Sequence, residues 1–141
     1  MVMETLAHIA AVYSLVVWLG GIIHLAAAAI PQLRVVEDRR LRIALTAGMM
    51  RRYNPLSWTA ITILLASSVY IALPRLMMDG SPISIAVIII TATVFIQDFI
   101  HSFIYGPRAA RGDTQARKKA NLLAISEIPP ALTLPALLAL V

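Results

Sequence analysis

Residues 5–33 read TLAHIAAVYSLVVWLGGIIHLAAAAIPQL, twenty-nine consecutive positions without a Lys, Arg, Asp or Glu. As a helix rising about 1.5 Å per residue, roughly 20 apolar residues cross the ~30 Å hydrocarbon layer of a bilayer. Three more stretches of this kind follow. Residues 53–74 carry no charge, residues 81–106 are interrupted only by Asp98, and residues 120–141 only by Glu127. These four spans make one transmembrane domain, residues 1–141. The fold class is all-α, an integral membrane up-down four-helix bundle, because the connections are short enough to favour antiparallel neighbours. The apolar run 43–50 is too short to cross and reads as an amphipathic lead-in to the second span. The first span does not read as a cleaved leader: it is preceded by Glu4 and by no basic residue, and it is too long for a leader's apolar core.

Composition agrees. Of 141 residues, 60% are hydrophobic and 13% charged, against about 45–50% and 25% in soluble domains. The mean hydropathy is +0.82. With no cysteine, a disulfide scaffold and a zinc ribbon are excluded. The net charge of +5 raises the question of nucleic acid. The placement of the charges answers it. Eleven of the twelve basic residues fall in two segments, 34–52 and 107–119, which lie on one side of a four-span chain. Arg75 alone lies in the other loop. The positive-inside rule explains this without a nucleic-acid partner. It expects a multi-pass protein of the cell membrane, its basic loops cytoplasmic and both termini outside.

Breakers mark the expected ends. Pro31 closes the first span, Asn54-Pro55 opens the second and Pro74 closes it. Gly80-Ser81-Pro82 makes the turn before the third, and Gly106-Pro107 ends it. Pro129, Pro130 and Pro135 are expected to kink the fourth span and free the carbonyls of Ile125, Ser126 and Ala131.

Ionisable groups inside a bilayer cost roughly 2.5–3.5 kcal/mol each on insertion scales, so they usually face the bundle interior and have a function. Here they are His8, His24, Asp98, His101 and Glu127. Counted from the basic end, His24, His101 and Glu127 share a layer about 9–12 Å deep at helical rise, with Asp98 one turn deeper. His8 is read as interfacial. On the first span, Tyr13, Val17, Gly20, Gly21, His24 and Ala28 share a face. On the third, Thr93, Gln97, Asp98, His101 and Tyr105 form a polar stripe expected to face the core.

Two histidines at one depth on separate helices suit a haem b held by two axial imidazoles, His24 and His101 being the metal ligands. Gly20 and Gly21 would let the macrocycle approach the backbone. Asp98 or Gln97 would orient a ligating ring, and Arg51, Arg52 or Arg108 would pair with the propionates. The leading expectation is a small b-type cytochrome, an electron-transfer protein, with membrane oxidoreductase as an open reading. It would take electrons from a quinol or a redox partner protein, with the lipid bilayer as its medium and a homodimer as one assembly. Other readings stay open: Gly20 and Gly21 as helix packing, the histidines as interhelical glue, and Asp98 with Glu127 as a proton or ion path. No nucleophile constellation or phosphate loop appears.

The segment Trp18-Leu-Gly-Gly-Ile-Ile-His24, running on to Pro31-Gln-Leu-Arg34, resembles the first helix of the CopD-like (copper resistance D) membrane domains. Arg51-Arg52-Tyr53, leading to Trp58, resembles their second helix. Asp98-Phe-Ile-His101-Ser-Phe-Ile-Tyr-Gly-Pro-Arg108 resembles the end of their third. The fourth departs, with Pro129-Pro130 and Pro135 in place of a Gly-rich ending. The resemblance implies copper transport without haem as the alternative function; its sites would be His24, Asp98, His101 and Glu127, and the residue types of Met77 and Met78 suit a thioether contact at the entrance, with packing as their other reading. The wider set of similar four-helix proteins includes the HemJ-like haem proteins, whose histidine spacing His8 and Trp18 match only loosely.

Overall fold

The computed structural model describes residues 2–141, and these form four long helices: α1 (Val2–Val35), α2 (Arg39–Asp79), α3 (Pro82–Ala110) and α4 (Thr114–Leu140). Among the described residues there is no strand. All four helices are long and apolar enough to cross a membrane, the architecture of a multi-pass membrane protein. Each packs on the next, and α4 returns to α1 to close the bundle. One contiguous core joins them, with Trp18, Ile61, Leu64, Val87, Val94 and Leu134 almost wholly enclosed.

The turns follow local chemistry. Asp38 caps α2 by accepting from the Arg40 and Leu41 N–H groups. Gly80 ends it in the left-handed conformation, φ 66°, where a Cβ would be strained. Ser81 caps α3, with Pro82 in its first turn. Asp113 caps α4 by accepting from Ala116 N–H at 2.9 Å. At the opposite end from the basic loops, Arg75 reaches Glu4 at 3.9 Å and the Leu140 carbonyl at 3.4 Å. This ties the start of α1, the end of α2 and the end of α4 together. Both termini therefore lie at one end of the bundle, and the 36–38 and 111–113 turns at the other.

Several expected helix ends are corrected. α2 begins at Arg39 rather than 53 and ends at Asp79 rather than 74, so Pro55 and Pro74 lie inside it. The 43–50 run leads into the second span as part of the same helix. α3 continues past Gly106-Pro107 to Ala110, and α4 starts at Thr114, six residues before the apolar run. A proline removes one hydrogen bond and leaves the rest of a long helix in place, so Pro55, Pro74 and Pro107 are accommodated within α2 and α3. Where helices do adjust, they widen. A π-helical turn spans Leu25–Ala29 and another Ile100–Tyr105, each ending two residues before a proline, Pro31 and Pro107. The wider turn accommodates the carbonyl that the proline ring would otherwise meet. In the second, Gly106 N–H donates to the His101 carbonyl, and a Cβ on Gly106 would crowd that same oxygen.

Candidate functional site

The inward face of α1 is Ala11, Ser14, Leu15, Trp18, Leu19 and Ile22. The face expected to line a cofactor points away. Tyr13 is 69% exposed, and Val17, Gly20 and His24 are exposed with it. Of the two histidines expected to meet across an interior pocket, His24 thus stands on the exposed face of α1 and His101 half-buried on α3. The reason is packing at the adjacent glycine. Tyr53 of α2 lays its ring where a side chain on Gly21 would sit, and its hydroxyl donates to the Trp18 carbonyl at 2.6 Å. Gly21 is the close-approach position between α1 and α2, and the space for a macrocycle there is filled by Tyr53. Nothing lies near Gly20. Within one copy of the chain, these residues do not fit a haem held by His24 and His101.

The remaining expected ligands are dispersed. Arg108 pairs with Asp113 at 3.2 Å, Tyr105 lies half-buried with Lys119 Nζ 5.6 Å from its ring centre, and Arg52 is exposed. His8 is engaged locally, its ring nitrogen 3.0 Å from the Glu4 carbonyl. Met77 and Met78 are exposed at the end of α2. Among the described residues, no group of three His, Cys, Asp or Glu is placed to hold a metal ion.

What the bundle does assemble is a carboxylate pair at mid-height. Glu127 stands thirteen residues from each end of α4. It is 1% exposed, and Asp98 of α3 is 3% exposed. The two are close enough for their charges to repel. Neither Glu127 oxygen nor Asp98 Oδ2 has a hydrogen-bond partner. Trp18 and Ser57, near the midpoints of α1 and α2, flank the Asp98 carboxylate, and Tyr53 adjoins Ser57. All four helices thus contribute to one polar layer. Among the described residues the ion pairs are Arg75–Glu4 and Arg108–Asp113, and neither involves this layer.

Two features hold the pair in register. Gln97 Nε2 donates to Ser126 Oγ at 3.4 Å, bridging α3 to α4 at the residues just before each carboxylate. On the α2 side, Trp58 packs edge-on against Phe95 and Phe99, at 5.3 and 5.9 Å between ring centres, and meets Phe103 at 5.1 Å. This aromatic cluster adjoins Ser57 and packs α2 on α3.

Of the expected polar stripe on α3, Asp98 is central, Gln97, His101 and Tyr105 are half-buried, and Thr93 is exposed. Trp18, Ser57 and Tyr53 belong to the site without having been singled out as such. The signal for them was the 3–4 spacing Ala11, Leu15, Trp18, Ile22 on α1 and Tyr53, Ser57, Ile61, Leu64 on α2. No family model, no curated protein and no solved structure matches the chain.

Proposed function

We propose that this chain is a multi-pass protein of the cell membrane that passes protons through the Asp98–Glu127 pair. The observation that carries the reading is two enclosed carboxylates in one mid-bundle layer, with no ion-pair partner among the described residues. An ionised carboxylate in such a place is costly unless a cation compensates it. A proton is the smallest cation that does so, and it needs no built coordination sphere. In the transfer, Glu127–COOH and Asp98–COO⁻ become Glu127–COO⁻ and Asp98–COOH as the proton is relayed from one carboxyl group to the other through water. The proton then leaves Asp98 for water or for the His101 imidazole, one turn toward the basic end. A new proton restores Glu127.

The positive-inside rule orients the bundle with its basic loops in the cytoplasm and both termini outside. The CopD-like resemblance agrees with transport across a membrane as the broad class. Copper is the poorer cargo on chemical grounds. Cu(I) prefers thiolate and thioether ligands, the chain has no cysteine, and its Met77–Met78 pair stands exposed, away from the carboxylates.

The test is proton flux into liposomes containing a pH-sensitive dye, driven by a potassium diffusion potential. Wild-type protein is expected to acidify the lumen, and Glu127→Gln and Asp98→Asn are expected to abolish the signal. Wild-type rates equal to those of empty liposomes would sink the proposal.

A further inference from the structure

A Ser or Thr hydroxyl within a helix usually bonds back to a carbonyl of the preceding turn. Thr46, Thr59, Thr91, Ser126 and Thr133 all do so in this bundle. Ser68 of α2 and Ser84 of α3 do not. Both are 0% exposed, and neither hydroxyl has a partner of any kind. A fully enclosed hydroxyl that its own helix leaves unpaired is costly unless something polar reaches it.

The two lie on the same side of the carboxylate layer. Ser84 is two residues inside the start of α3, and Ser68 is eleven residues from the end of α2. That is the end at which Arg75 gathers both termini. Thr91, Ser67 and Ser14 are further buried hydroxyls between that end and the carboxylates. The opposite side differs. There Tyr53 covers Gly21 with its hydroxyl committed to the Trp18 carbonyl, and Ser102 is the buried hydroxyl beyond it.

We infer that a hydrated polar passage runs past Ser84 and Ser68 from the terminal end of the bundle to the Asp98–Glu127 pair. Its occupant is water, which satisfies hydroxyls that both donate and accept, and buried water typically makes about three such bonds. The inference rests on the reading of the carboxylate pair as a proton site and adds the side from which protons arrive. On the other side the Tyr53 hydroxyl is committed to the Trp18 carbonyl, which leaves half-buried His101 as the exit toward the basic end.

The chain contains no cysteine, so single-cysteine variants of the full protein report access directly. Ser68→Cys and Ser84→Cys in liposomes are exposed to silver ions, which are small enough to follow water. Thiols left unmodified are then counted with a maleimide after denaturation. Val87→Cys is the control, equally enclosed and one turn from Ser84 on the same helix. Since a thiol reacts as thiolate and needs a polar route to ionise, both serine positions are expected to react about tenfold faster than position 87 or more. Ser14→Cys gives a second probe should Ser68→Cys fail to fold. Reaction of the Ser68 or Ser14 variant no faster than Val87→Cys would overturn the passage. A failure of proton transport itself would appear separately, as absent dye response in the wild type.

Discussion

Tyr53 bonds Trp18 across the α1–α2 interface, hydroxyl to main-chain carbonyl at 2.6 Å, with its ring seated over Gly21. That contact turns the Trp18 face of α1 inward and leaves the Gly20–His24 face outside.

Adding a methyl at the two adjacent glycines should have opposite consequences. Gly21→Ala forces Tyr53 off its seat and is expected to destabilise the bundle by about 1–3 kcal/mol, the usual cost of overpacking. Gly20→Ala meets open space and is expected to be neutral or stabilising, since alanine is the better helix former by about 0.8–1.0 kcal/mol. Unfolding in detergent, followed by circular dichroism, distinguishes them. Equal loss of stability in both would contradict the packing described.

Tyr53→Phe keeps the ring and removes the hydroxyl. The lost hydrogen bond is expected to cost about 0.5–1.5 kcal/mol. It is also expected to loosen the basic-end side of the carboxylate layer, read as a faster downhill proton leak in the dye assay. Unchanged stability would mean that the bond to Trp18 contributes nothing.

His24 is exposed and its substitution should be silent. His24→Ala is expected to change stability by no more than about 0.5 kcal/mol, as for other surface positions. The purified protein, expressed with ample haem, is expected to show no Soret band. A Soret band abolished by His24→Ala would reinstate haem ligation, and would place it between copies of the chain, where an exposed histidine can meet a partner.

Glu127→Gln and Asp98→Asn remove the transferable proton while preserving shape. Each is expected to slow proton flux by at least about a hundredfold, the low end of what positioned acid–base groups contribute. Folding should be retained, because neither substitution introduces a charge. A variant that keeps wild-type flux would show that its carboxylate is off the route.

Asp113 gives a pH signature outside the spans. The Ala116 N–H that it caps, and then Arg108 beside it, hold its carboxyl below the usual aspartate range. A depressed value means that the cap's contribution is full above the ordinary aspartate value and is lost as pH falls through the lower folded value. Asp113→Asn retains an acceptor and should flatten this acid limb of the melting temperature. Asp113→Ala should lower the melting temperature at neutral pH. An unchanged acid limb in the Asn variant would assign it to other carboxylates.

The four-helix architecture was legible in the residues because it depends on the length of uncharged runs, and Asp38, Gly80, Ser81 and Asp113 announced the turns through their capping chemistry. Asp98 and Glu127 were equally legible, since charge inside an apolar run has few places to go. Helix ends at Pro55, Pro74 and Pro107 were misleading, because a proline removes one hydrogen bond and a long helix continues through it. The orientation of α1 could not be read at all. Both of its faces are apolar, so no hydrophobic contrast selects the one that turns inward. Only the tertiary fit of Tyr53 against Gly21 made that choice. It set Trp18 beside the carboxylates and left His24 on the exposed face, although sequence depth alone had placed His24 in one layer with His101.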